Sequence, residues 1–196
     1  MGEITICEKP EWIHFEDISA LLVKAHKANP NVSFPTTNLS SEEWNRRLET
    51  GGTVIVALDG RKLAGTITLS VEACNKWYAR CEVARCRYVA VSPDYTRRHI
   101  ASDMIDACAN WARSRDIPVL FWTTAANNAP AINLCHRNGF VTVDYHWYSN
   151  IDHPSVALMR WLNGKQPSKL LLQANYCKSR FCVQLKHSMK SIMPRN

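Results

Sequence analysis

The sequence predicts a mixed α/β domain, and three observations carry that reading. Apolar and β-branched runs alternate with amphipathic helical stretches. A strand, a short loop and a helix follow one another across 84–112. Asp59-Gly60 joins two β-branched runs as a hairpin turn. The 196 residues are 46% apolar and 21% charged, ordinary for a folded domain. A chain of this length buries roughly 70% of its unfolded surface. That composition excludes a mainly disordered or collagen-like chain, and no stretch approaches the ~18 uninterrupted apolar residues of a spanning helix.

The elements follow in order. Residues 3–7 alternate as a first strand. Asp17 opens a helix whose stripe is Ile18, Leu21, Leu22 and Ala25. Residues 28–40, rich in Pro, Asn, Ser and Thr, read as a loop. Ser40 or Ser41 caps a second helix, with Glu42 and Glu43 in its favourable first turn, and Gly51-Gly52 ends it. The hairpin runs from 53 to 73, 75–83 stays ambiguous, and 84–91 reads as a strand ended by Ser92-Pro93-Asp94. The apolar positions 100, 104, 105, 108, 111 and 112 have the period of an amphipathic helix. Residues 118–122 form a buried strand. Asn128 caps a helix that Gly139 terminates. Two strands, 140–149 and 155–162, follow around a polar turn.

Charge is unevenly placed. Residues 1–152 hold 16 Lys and Arg against all 17 acids, whereas 153–196 hold 8 Lys and Arg and no acid. The net +7 is therefore a property of the C-terminal segment, and a nucleic-acid-binding domain is not expected. There Leu170, Ala174, Cys177, Phe181, Leu185, Met189 and Ile192 recur at steps of 3 or 4. This predicts a basic amphipathic helix over 168–192. It either docks on the domain or on a second copy in a homodimer, or it makes peripheral contact with an anionic membrane. The opening MGEITICEKPEW carries acids and no apolar core, so no secretory signal is expected. The eight cysteines include no Cys-x-x-Cys and no histidine at zinc-finger spacing, so reduced thiols, a cytoplasmic location (peripheral at the inner membrane surface if the tail binds lipid) and no metal are expected.

Two segments carry chemistry. In YVAVSPDYTRRHIASDMI (88–105) a strand gives way to a helix N-terminus, where unpaired N–H groups, with Arg97 and Arg98 nearby, suit phosphate; an ordinary connection with solvated arginines is the alternative. In NNAPAINLCHRNGF (127–140), Asn128, Ala131, Leu134, Gly139 and Phe140 fall at the spacing of a capped helix feeding a strand. Together, in this order and after the hairpin, the segments resemble the GNAT superfamily of acyl-CoA-dependent N-acyltransferases. The resemblance covers about 52–162, with 1–51 fitting the variable substrate-binding helices.

The resemblance implies a mixed, mostly antiparallel sheet flanked by helices over 1–162, with 163–196 as a basic helical extension. It implies acetyl-CoA as co-substrate, held by Val89, Ala90, Val91, Arg97, Arg98, His99, Ile100, Ala101, Ser102, Asn128 and Ala131. It also implies direct attack by an amine, the backbone at Val89–Val91 stabilising the oxyanion. The family's Gln/Arg-x-x-Gly-x-Gly/Ala reads here as Thr96, His99 and Ala101. A histidine at 99 keeps its N–H available while φ stays negative. Cys135 stands where a tyrosine acid is frequent, and no carboxylate lies in the middle of the strand before the loop, where Cys86-Arg87-Tyr88 stand.

Glu82 is the leading base, against the alternative of a solvated loop acid, with Glu72 or Asp144 as other acids that could serve. Cys135 is a thiol acid or a small buried core residue. His136 and His146 are left as structural. Freeing a lysine amine at pH 7 costs about 4.6 kcal/mol, an α-amine only about 1–1.4 kcal/mol. A small-molecule amine of low pKa, an amino sugar or its nucleotide, is thus the favoured acceptor. A catalytically inactive binding protein and a protein or peptide N-acetyltransferase stay open.

Overall fold

The structure, a computed structural model, describes residues 2–27, 39–147 and 154–192, with side chains as far as 185. Most of the loop expected at 28–40, and the turn after 147, lie outside the described residues. Seven strands form one sheet: β1 (Ile4–Glu8), β2 (Thr53–Asp59), β3 (Lys62–Lys76), β4 (Ala79–Val91), β5 (Val119–Ala125), β6 (Val141–His146) and β7 (Ser155–Trp161). Their order is β1-β2-β3-β4-β5-β7-β6, and only β4 and β5 pair in parallel. The helices are α1 (Phe15–Lys27), α2 (Ser41–Leu48), α3 (Ile100–Arg113), α4 (Ala129–Arg137) and α5 (Lys169–Ile192). The mostly antiparallel, helix-flanked sheet agrees with the expected fold.

Local chemistry explains the boundaries. α1 starts two residues before Asp17, which sits in the first turn and accepts the His14 amide at 2.9 Å, closing the helix start as a capping box does. Ser40 caps α2 by accepting the Glu43 amide. The ambiguous stretch 75–83 is the far end of a long hairpin, in register down to Lys76 opposite Ala79. Its turn residue Tyr78 is buried and donates to Asp144 at 3.2 Å.

Three clusters fill the interior. The largest lies between the sheet and α3, with Ile67, Leu69, Met104, Ile105, Leu120 and Leu158 wholly enclosed. A second packs α1 and α2 on the opposite face around Trp44, Ile18 and Leu22. The third gathers Val83, Val119, Val143, Met159 and Leu172 beneath α5.

α5 forms as expected, but the row that docks is a different one. Leu172 is 0% exposed, and Tyr176 meets Tyr145 edge to face, while Leu170 (77%), Phe181 (64%) and Leu185 (50%) stand in solvent. The docking row is partly polar because α5 lies along the outer strand of the sheet. Asn175 Nδ2 donates to the Val143 carbonyl at 2.7 Å, and Ser179 Oγ accepts the Tyr145 amide at 3.1 Å. These side chains satisfy backbone groups that a further strand would otherwise pair. All eight cysteines are free thiols, and no helix among the described residues is long and apolar enough to cross a membrane.

Leu172→Ala should therefore cost about 2–4 kcal/mol through the cavity it leaves. Leu170→Ala on the same helix should stay within about 0.5 kcal/mol. Urea unfolding of the two variants checks the docking row directly; equal losses would reverse the assignment.

Candidate functional site

β4 pairs with β5 only at Ala84, Arg85 and Cys86, opposite Leu120, Phe121 and Trp122. Beyond Cys86 the strands part, and five further residues of β4, about 16 Å of strand, run on beside no strand of the described residues on that side. The cause is a bulge against β3. Thr68 opposes Arg87 and Thr66 opposes Ala90, so Tyr88 and Val89 share one partner, Ile67. Tyr88 takes a left-handed φ of 48°. Its ring is fixed by Trp44 edge to face at 5.1 Å and by the Arg47 guanidinium at 5.0 Å. α2 thus holds the bulge. Ala90 is buried, and Val89 and Val91 pack on the core beneath α3. What the fork exposes is main chain, a length of backbone with donors available to a substrate.

At the open end of the fork, Val91 leads into a single 3-10 turn, Pro93–Tyr95, and then to α3. Arg97 and His99 both lie in the left-handed region, at φ 61° and 60°. The condition of a negative φ at His99 is not met: the exposed histidine adopts the conformation a glycine would hold there, at a cost of about 1–2 kcal/mol. Its carbonyl turns inward and accepts the Ser102 and Asp103 amides at 2.8 and 3.1 Å. The amides of residues 97–101 donate to no carbonyl among the described residues. Such a run of N–H groups at a helix N-terminus, bent by left-handed residues, is an anion cradle.

The side chains here divide. Arg97 is exposed and free to meet an anion. Arg98 folds back, donating to the Gly2 carbonyl at 3.3 Å and lying 5.5 Å from the Tyr95 ring centroid. Thr96 turns to the Pro93 carbonyl. Ile100 is buried, and Ser102 Oγ accepts Asn138 Nδ2 at 3.1 Å. Across the fork Asn128 caps α4 through the Ala131 amide and donates to Thr124 of β5 at 3.1 Å. An open cavity of about 680 Å³ lies beside this loop, between α1 and the β2–β3 turn. Within it Lys24 pairs with Asp94 at 2.6 Å, and Asp59 accepts from the Tyr95 hydroxyl at 3.1 Å.

The residues read as acid and base lie elsewhere. Glu82 is exposed opposite Ala73, four residues or roughly 13 Å of strand before the fork. Cys135 is wholly buried, and burial, with the neighbouring Cys86 adding to it, pushes its thiol far up, which makes it a poor proton donor. Asp144 is nearly buried and engaged by Tyr78 and His146. His136 bonds Thr142 at 2.9 Å.

Two groups stand at the fork, of which sequence reasoning had singled out Glu72 alone. His26 of α1 places Nε2 3.5 Å from the Val89 carbonyl at the bulge. Burial holds this imidazole below its ordinary pKa, and its Nδ1 is buried without a partner among the described residues. The second is a polar floor on the α1 face. Glu72 takes Arg85 Nη1 at 3.1 Å and Arg87 Nη2 at 2.5 Å. Ser70 accepts from Arg87, and Thr123, just past the fork on β5, accepts from Arg85, both at 3.2 Å. Arg85 Nε, Thr66 Oγ1 and Thr68 Oγ1 are buried there without partners among the described residues. Desolvation raises the Glu72 pKa, but Arg87 and Arg85 together outweigh it and leave it lowered. The period-two polar residues Thr66, Thr68, Ser70 and Glu72 were a visible signal; only the strand register shows that they face Arg85 and Arg87. No cluster of metal ligands is present among the described residues.

The model of the acetyltransferase (GNAT) family matches residues 16–140. Among curated proteins, none matches this sequence. Solved structures do. An acetyltransferase of the GNAT family from Streptococcus pneumoniae superposes with TM-score 0.64 and 17% identity, covering 81% of this chain and 99% of that one. The ribosomal-protein-S18-alanine N-acetyltransferase from Escherichia coli gives 0.63 and 17%, covering 85% and 99%. A GNAT family acetyltransferase from Elizabethkingia anophelis with acetyl-CoA bound gives 0.57 and 17%, covering 81% and 97%. At these identities the likeness is one of fold.

His99→Gly should leave stability within about 1 kcal/mol of the native chain, because glycine relieves the left-handed strain while adding chain entropy. His99→Val should lose about 1–2 kcal/mol, since a β-branched residue tolerates that φ poorly. Thermal unfolding of both checks it. Stability from the lowered Glu72 carboxyl is present above its unfolded pKa of about 4.5 and is lost as pH falls through the lower folded value. Glu72→Gln should remove that acid-side loss; urea midpoints between pH 7 and 3 read it.

Proposed function

Because this chain belongs to the acetyltransferase (GNAT) family, we infer that it moves an acetyl group from acetyl-CoA to the primary amine of a small molecule by direct attack. The observation that carries this reading is the forked β4–β5 pair, opening at one end on the free amides of residues 97–101 and closing at the other on the bulge.

The residues present fit the co-substrate. The amides from Arg97 to Ala101 and the exposed Arg97 side chain suit a pyrophosphate. The unpaired edge of β4 across Val89, Ala90 and Val91 suits an amide-bearing arm laid along it as a missing strand would lie. Asn128 and Ala131 set the opposite wall by fixing the start of α4 against β5.

At the vertex the backbone amides of the bulge would donate to the oxyanion as the new C–N bond forms and the C–S bond breaks. His26 takes the first proton from the ammonium, directly or through water. Its neutral imidazole is favoured by burial, and its Nδ1 has no partner among the described residues. The nitrogen loses a second proton on acylation, and that proton suffices for the departing thiolate. No separate thiol acid is then needed, which suits a Cys135 sealed in the core.

The acceptor reading rests on the energetics of freeing the amine. No unpaired carboxylate among the described residues lies at the vertex, and Glu72 is already engaged by two arginines. A low-pKa amine such as an amino sugar needs the least help. Likeness to an enzyme named for a ribosomal protein is likeness of fold and leaves the acceptor to this chain's own residues. Eight free thiols suit a reducing compartment such as the cytoplasm. The basic, partly apolar outer face of α5 is the surface on which contact with an anionic membrane would rest.

Release of CoA thiol from acetyl-CoA in the presence of small primary amines tests the reading, and acetyl-CoA bound without release by any amine would point to a binding protein. His26→Ala should lower kcat/KM about 10²-fold or more. Because burial lowers the His26 pKa, the competent neutral form persists below pH 6.5. Activity should therefore fall on the acid side only below that value, and the His26 variant should lose this limb of the profile.

A further inference from the structure

The polar floor at the fork has more positive charge than its structural role requires. One carboxylate, Glu72, faces two guanidiniums, Arg85 and Arg87. Neither arginine is fully enclosed: their side chains are 21% and 33% exposed. Arg85 Nη1 and Nη2 are engaged by Glu72 and Thr123, and its Nε is buried without a partner among the described residues. Arg87 uses Nε on Ser70 and Nη2 on Glu72, and no partner for its Nη1 is found among the described residues. Arg87 is the residue immediately before the bulge and one beyond the last pair of the fork, and it points to the α1 face, away from α3. The unpaired guanidinium edge thus stands beside the place where the amine must attack.

We propose that Arg87, supported by Arg85, binds an anionic group of the acceptor, so that the substrate is a primary amine that also carries a carboxylate or a phosphate. This deepens the acetyl-transfer reading and rests on it. Guanidinium forks recognise either anion in two-point geometry.

Three amino sugars that differ only at C6 separate the possibilities: glucosamine, which carries no anionic group, glucosamine 6-phosphate, and the carboxylate 2-amino-2-deoxyglucuronate. Their affinities for the full chain saturated with CoA, read by calorimetry, should favour an anionic ligand about tenfold or more over glucosamine. The better of the two identifies the anion. Arg87→Gln should abolish that preference. Glu72→Gln, which removes the competing carboxylate, should tighten the anionic ligand several-fold, with thermal unfolding confirming that each variant folds. Equal binding of the three sugars, or weaker anion binding in both variants, would overturn the proposal, since a merely structural ion pair fails in either direction. Thiol release measured with the same amines keeps the two readings apart. Anion preference without release from any amine overturns the transfer reading alone; release without preference overturns only the anion site.

Discussion

β4 has to serve two neighbours of opposite sense, and most of the structure follows from how that demand is met. β3 holds it antiparallel along nearly its whole length, whereas β5 holds it for three residues. The extra residue at the bulge puts Arg87 and Tyr88 on the same face in succession. Val89 and Val91 then turn to the α3 core, and Ala90 to the α1–α2 core. One inserted residue therefore withdraws the strand from β5, frees its backbone edge, and sets a guanidinium beside an aromatic ring that α2 clamps. Separated from Trp44 and Arg47, Tyr88 would have little reason to hold a positive φ.

The chemistry is divided between the two faces of that strand. The α3 side carries the anion cradle and the apolar packing beneath it; the α1 side carries His26, the hydroxyl row of β3 and the arginine pair. On the proposed reading, binding groups for the two substrates approach the fork from opposite faces and meet only at its vertex. Such a division favours positioning over acid–base strength as the source of rate, for which effective molarities supply up to ~7–11 kcal/mol.

Features written in local sequence were legible. The Asp59-Gly60 hairpin, the Ser40 and Asn128 caps and the α3 stripe each depend on a few neighbouring residues, and each stands where it was read. Features set by pairing were not. The polar row of β3 acquires meaning only when register puts Ser70 opposite Arg85 and Thr68 opposite Arg87. At His99 the residue type alone does not reveal the positive φ that the turn demands. On α5 the longest apolar row was followed, yet the helix docks by Leu172, Asn175, Tyr176 and Ser179. An outer strand offers hydrogen bonds as well as apolar surface, and hydrophobic periodicity is blind to the former.

That contact between α5 and β6 bears on how the protein behaves in a crowded solution. An outer strand with open N–H and C=O groups is a template on which another chain can add, and repeated addition leads to aggregates. Asn175 and Ser179 occupy two of those groups with side chains, and the helix backbone, already bonded to itself, offers nothing in exchange. The basic tail thereby doubles as a guard against self-association. Loss of the segment through proteolysis would bare that strand edge and make it adhesive, even while the fork, two strands away, kept its shape.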